Sequence, residues 1–172
     1  KTEIEDAWNM TALKVLDRAV VEMGGQIRLV VIDTPTSYMA GVNDHNNAEL
    51  RAVLTPFKTW AAKHHVAVLL ITHINKSACV KIEAMSRVMG SVAWVSNVRA
   101  AFIFVEDPDD PERRLFLPLK MNIAQKPKGL AYKIVSKAND QATVEWLGEV
   151  DITADQAVNQ EAKKPRRVVA SE

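Results

Sequence analysis

The sequence predicts an α/β fold: a mainly parallel sheet flanked by helices, extended at its C-terminal end by antiparallel strands. Three observations carry this. Short apolar runs rich in β-branched residues alternate with stretches of helical period through the first two-thirds of the chain. A Glu-Asp-Pro-Asp-Asp-Pro turn follows Val105. Beyond it the apolar period changes from helical to alternating.

From Ile4 to Met23 the apolar positions Ile4, Trp8, Ala12, Val15, Ala19 and Met23 recur every three or four residues. That spacing gives an amphipathic helix, which Gly24 and Gly25 are placed to end. Leu29 to Ile32 is a continuous apolar run suited to a strand buried on both faces. Asp44 to His64 is helical again, with Leu50, Val53, Leu54, Phe57, Trp60 and Ala61 on one face. Pro56 predicts a kink or a restart there, capped by Thr55. Val66 to Ile71 and Ala100 to Val105 are two further buried runs, with a short helical pattern through Val92, Val95 and Val98 between them. Alternating strands follow at Leu115 to Met121, Leu130 to Val135 and Thr143 to Leu147, the last two joined at Asn139 and Asp140. Residues 1–150 thus read as one partial core. Residues 151–172, poor in large apolar side chains and carrying Lys163-Lys164-Pro165-Arg166-Arg167, read as a basic linker or disordered tail.

Composition narrows the function classes. The chain has 172 residues, 48% apolar and 25% charged, the balance of a globular domain. Its formal net charge of +1 gives no whole-molecule attraction to nucleic acid, so any such contact requires a local cluster. The single cysteine, Cys79, excludes an internal disulfide and suits a reducing cytoplasm. No apolar run approaches the roughly 20 residues of a membrane span. The chain starts without an initiator methionine and reads as part of a longer protein.

Two strand ends carry the strongest chemical signal. Asp33 closes the first run, and a rigid strand ending in an acid can deliver a carboxylate to Mg²⁺. Ligands of open α/β sheets bind at the carboxyl ends of strands, where Asp33 belongs. A strand-end Asp that caps Thr34-Pro35-Thr36 gives the same pattern. Thr72 and His73 close the second run and fall beside Asp33 if the two strands are neighbours. Such polar groups can meet a γ-phosphate or its attacking water, although a histidine capping a turn reads the same way. His45, His64 and His65 lack metal-ligand spacing, and the last two suit a helix end. Arg87-Val88-Met89-Gly90-Ser91, Arg99, Lys120-Met121-Asn122 and Lys126-Pro127-Lys128 place cations on turns and strand ends.

In order, "RLVVIDTPTSYM" (28–39), "VAVLLITHINKS" (66–77), "RVMGSVAWVSNVRAAFIFVEDPDDPERRLF" (87–116) and "LKMNIAQKPKGLAYKI" (119–134) resemble the RepA-like branch of RecA-type ATPases. These are phage and plasmid ATPases of the AAA type, relatives of hexameric replicative helicases. The resemblance covers about 28–147. It implies a RecA-like fold, ATP and Mg²⁺ as cofactors, single-stranded DNA as partner and a homo-hexamer. It further implies that Asp33 is the Walker-B acid ordering Mg²⁺ through water. His73 takes the nucleotide-sensing position, with Thr72 beside it, and Lys76, Lys81 and Arg87 lie on a DNA-facing channel loop, Lys76 to Gly90. Gly41 to Asn47 matches a second such loop. Arg99 matches an arginine finger reaching a neighbour's site, and Lys120 a lysine aimed at the neighbour's phosphates. Asn122 stands where some relatives carry arginine.

One element of that family is absent from the sequence. None of the glycines at 24, 25, 41, 90, 129 and 148 lies in a Gly-x-x-x-x-Gly-Lys-Ser/Thr loop, whose N–H groups cradle phosphate. The expectation is the C-terminal part of an ATPase motor, inactive by itself. The alternative is a non-catalytic nucleic-acid-binding or assembly module of the same fold. An unrelated α/β enzyme using His73 and Asp33 as an acid–base pair is a third reading.

Overall fold

Asn9 decides where the first helix begins. Its side-chain oxygen accepts hydrogen bonds from the N–H and the hydroxyl of Thr11, both at 2.9 Å. This local turn competes with helix, so α1 runs over Leu13–Glu22; Ile4, at the start of the expected helix, lies outside the described residues. The computed structural model describes residues 8–39, 41–43, 46–73, 84, 92–136 and 141–161. At its other end α1 closes as expected. Gly25 N–H reaches the Val20 carbonyl at 2.8 Å and Gly24 N–H that of Val21 at 3.0 Å. Both glycines hold positive φ, which a Cβ would strain.

The described chain forms two units, 1–75 with 86–97 and 76–85 with 98–172. In the first, β1 (Leu29–Asp33) pairs in parallel with β2 (Ala67–Ile71), Leu29 opposite Ala67 and Asp33 opposite Ile71. Between them lies α2, Asn47–His64. Its start is a reciprocal cap. The Asn46 carboxamide oxygen accepts from Ala48 and Glu49 N–H, and Glu49 accepts from the Asn46 side chain and from Asn43 N–H. Asn46→Ala is expected to cost about 1 kcal/mol in urea unfolding, with little effect if the cap were ornamental.

Pro56 does not restart the helix. α2 is continuous through it, and the Thr55 carbonyl accepts from the Thr59 hydroxyl at 3.1 Å. His64 and His65 end α2 as expected, but His64 also has a partner in α1. Asp17 Oδ1 lies 2.7 Å from His64 Nε2 and accepts from Trp60 Nε1–H at 3.0 Å. Around this polar clasp Val20, Trp60 and Val66 are buried against Leu13, Leu16, Ile27, Val30, Ala61 and Val68. A short helix, α3 (Val92–Asn97), adds buried Trp94 and Val95 and contacts α2.

The expectation that these strands are buried on both faces fails. Val30, Ile32 and Val68 turn inward, whereas Leu29, Val31, Leu69 and Ile71 are each at least 40% exposed. Parallel sheets are ordinarily covered on both sides, so this apolar face is unusual.

The second unit is a four-stranded antiparallel sheet in sequence order: β3 (Ala100–Glu106), β4 (Arg113–Met121), β5 (Gly129–Ser136) and β6 (Ala142–Val150). The α/β class and the antiparallel extension therefore hold, with one difference. The third apolar run, read as a further parallel strand, pairs antiparallel with β4. Asn139 and Asp140 lie outside the described residues. Pro118 sits in β4 next to a register shift and beyond the pairing with β5, where its missing N–H breaks no regular ladder.

Residues read as tail also fold. Ala154–Glu161 form α4, which buries Ala154, Ala157 and Val158 and packs on β3 and β4. Thr153 and Gln156 make its cap: Gln156 accepts from Thr153 N–H at 2.8 Å, and the Thr153 hydroxyl accepts from Gln156 N–H at 3.2 Å. The apolar stripe escaped notice because its side chains are small, yet Thr-x-x-Gln is a legible start signal. Residues 162–172, with the basic cluster, lie outside the described part.

Candidate functional site

The β-branched run of β1 is stiff and ends on Asp33, so the strand fixes where that carboxylate emerges. The parallel register sets Asp33 opposite Ile71, and Thr72 and His73 follow directly after Ile71. All three residues therefore share the carboxyl edge of the pair, as the sequence implied. Asp33 and His73 are exposed and Thr72 is half-buried.

The Asp33 carboxylate has no hydrogen bond or ion pair among the described residues. The capping reading of this acid therefore has no bond to support it. Thr34 occupies the cap position of the single turn Pro35–Tyr38, without a side-chain cap bond. The Thr34 hydroxyl lies 3.2 Å from those of Thr36 and Ser37. This three-hydroxyl cluster beside the acid was missed as a unit, although Thr-Pro-Thr-Ser is its plain signature. The Asp33–Thr34 peptide is cis. One open carboxylate at a strand end, flanked by hydroxyls, fits a Mg²⁺ ion that keeps its waters and takes further ligands from phosphate. It could not hold a metal by itself. Among the described residues no group of three or more His, Cys, Asp or Glu could share an ion.

In the second unit Arg99 and Lys120 come to one end of the β3–β4 hairpin. Arg99 is exposed one residue before β3, and its carbonyl accepts from Asn122 N–H at 2.9 Å. Lys120 is half-buried in β4 opposite Ala101. The backbone carrying the Arg99 side chain is thus held by a β-ladder while the guanidinium reaches solvent.

Lys76, Lys81 and Arg87, and with them the proposed channel loop, lie outside the described residues, as does His45. The exception in that loop is Ala84, which is fully buried and donates its N–H to Asp155 Oδ1 of α4 at 2.6 Å.

The strongest electrostatic feature was not anticipated. Asp107 is the buried charged residue among the described residues of the second unit, accepting from Arg113 Nε at 2.6 Å and from Asp109 N–H at 2.8 Å. Burial pushes its carboxyl up, but the Asp109 N–H and the Arg113 guanidinium outweigh that and hold it below the ordinary range. Lys128 is raised by its bond to Asp151 and by Glu149.

No helix among the described residues is long and apolar enough to cross a membrane. Residues 4–78 match a family model described as an AAA domain, which supports an ATPase-type kinship for that stretch. The match spans less than half of the chain and includes Asp33, Thr72 and His73. No curated protein matches the chain.

Proposed function

We propose that the chain is the C-terminal part of a RecA-like ATPase core that couples ATP hydrolysis at subunit interfaces to single-stranded DNA binding or movement. The observation that supports this best is the open Asp33 carboxylate. It stands at the carboxyl edge of a parallel strand pair whose other strand delivers Thr72 and His73, inside the stretch similar to an AAA domain.

In this reading Asp33 would hold a hydrated Mg²⁺, which would supply positive charge to the phosphates of the nucleotide. His73 and Thr72 meet the γ-phosphate or its water and pass the nucleotide state to the segment after β2. Arg99 and Lys120 act on the neighbouring subunit's nucleotide in a hexameric ring. Lys76, Lys81 and Arg87 contact DNA phosphates, so binding falls steeply with salt. That segment has no aromatic residue for base stacking.

A second reading is favoured by the missing Gly-x-x-x-x-Gly-Lys-Ser/Thr loop: a non-catalytic nucleic-acid-binding or assembly module. ATP turnover by the full gene product, with and without single-stranded DNA, separates the two. DNA-stimulated turnover that disappears with Asp33→Ala establishes the motor. Retained DNA binding without turnover gives the module. Residues 1–172 alone are expected to show negligible ATP affinity, because Asp33 and His73 cannot grip a triphosphate without a phosphate loop. Saturable binding at micromolar ATP in calorimetry would refute that.

A further inference from the structure

Ala84 has one long-range bond that neither the fold nor the nucleotide site uses. It is fully buried, and its N–H donates to Asp155 Oδ1 at 2.6 Å across 71 residues of sequence. A backbone N–H on a carboxylate makes one of the shorter and stronger hydrogen bonds. Asp155 is firmly seated. It lies in the first turn of α4, beside the buried Ala154 and within the cap that Thr153 and Gln156 form. α4 in turn packs on β3 and β4. The bond therefore ties Ala84 to the antiparallel sheet.

We propose that Asp155 is a positioning residue for single-stranded nucleic acid, holding Ala84 as the fixed point between the cations Lys81 and Arg87. This rests on the DNA contacts proposed for those two residues. Each stands three residues from Ala84, one on either side. Three residues span at most about 11 Å of chain, so fixing Ala84 limits how far the backbone at either cation strays from it. A chain fixed at one point loses less freedom on binding than a free one, so the bond raises affinity without touching the ligand.

The charge of Asp155 acts the other way. A carboxylate repels phosphate, so as bare charge it weakens binding. The two roles have opposite signs, and substitutions separate them. Asp155→Ala removes both the charge and the acceptor, whereas Asp155→Asn removes the charge and keeps an acceptor oxygen. Both drop the same charge from the first turn of α4, so the helix-dipole loss is common to the pair.

Amide hydrogen exchange and anisotropy with labelled oligothymidylate, both on the full gene product without nucleotide, test the proposal. Asp155→Ala is expected to speed exchange at Ala84 about tenfold or more, and to weaken oligothymidylate binding about fivefold. Asp155→Asn should keep most of the protection and bind at least as tightly as wild type. Gln156→Ala loosens the cap of α4 and leaves Asp155 in place, so it should change neither readout. Tighter binding by Asp155→Ala would reduce Asp155 to a repelling charge and overturn the proposal. The same losses in Gln156→Ala would overturn it too, because any loosening of α4 would then suffice. Wild type that binds oligothymidylate, with Asp155→Ala indifferent in both readouts, overturns the anchor alone. Wild type that does not bind it removes the DNA contacts themselves, and the positioning role with them.

Discussion

On the proposed reading, Arg99→Ala is expected to lower the ATP turnover of the full gene product by about 10³-fold or more and to leave ATP binding nearly unchanged. An arginine finger acts on charge that develops only in the transition state, so its loss falls on kcat. A thousandfold corresponds to about 4 kcal/mol of barrier. The geometry suits the role. Arg99 is exposed, and its backbone is held by the Asn122 N–H at the edge of β3. Arg99→Lys should not rescue, because an ammonium lacks the planar fork. Mixing tests action across the interface. Arg99→Ala subunits keep Asp33, and Asp33→Ala subunits keep Arg99, so mixed rings regain some intact interfaces and some turnover. Arg99→Ala within threefold of wild type would remove the finger. A large loss without recovery on mixing would place Arg99 in its own subunit's site.

Asp107→Ala destabilises the second unit by about 3 kcal/mol, the cost of losing two hydrogen bonds to a buried carboxylate. Arg113 is about one-third exposed and can rehydrate, so the cost stays below that of stranding a fully buried charge. Urea unfolding at neutral pH measures it. The sign with pH follows from the depressed carboxyl. Folding favours the charged form, so the stabilisation is complete above the ordinary value of 3.8 and fades as pH falls through the lower folded value. The gap between wild type and Asp107→Ala should be constant from neutrality to about pH 5 and close below about pH 4. A gap that widens in acid would show that burial, not the Arg113 pair, governs this carboxyl.

The sequence made the strand ends plain and the surroundings obscure, for physical reasons. Continuous β-branched runs announce β1 and β2, and an acid or a Thr-His pair after such a run must fall at a carboxyl edge. Their adjacency stays conditional in the sequence, and the parallel pairing supplies it, with Asp33 opposite Ile71. What such a run cannot tell is which face is covered, because it lacks the alternation that separates inside from outside. Leu29 and Val30 look alike in the sequence and differ in the fold. Asn9 hid the start of α1 since its polar turn sits inside a helical apolar spacing. α4 was hidden by size, because Ala154, Ala157 and Val158 make a narrow stripe beside a conspicuous basic cluster. Asp107 was concealed in a turn rich in acids. Nothing local singles out the one that the return of Arg113 on β4 encloses.

The two sheets also differ in how far the chain must search to form them. Leu29 meets Ala67 only after the whole of α2 has been laid down and folded back. Along β3 to β6, each strand pairs with its immediate successor across a short connection. The entropy of closing a loop has to be met before the contacts that repay it form, so the parallel pair faces the larger initial barrier. The meander carrying Arg99 can zip from its turns. The strands carrying Asp33 and His73 depend on a long-range encounter, and their exposed apolar face waits unguarded while that search runs.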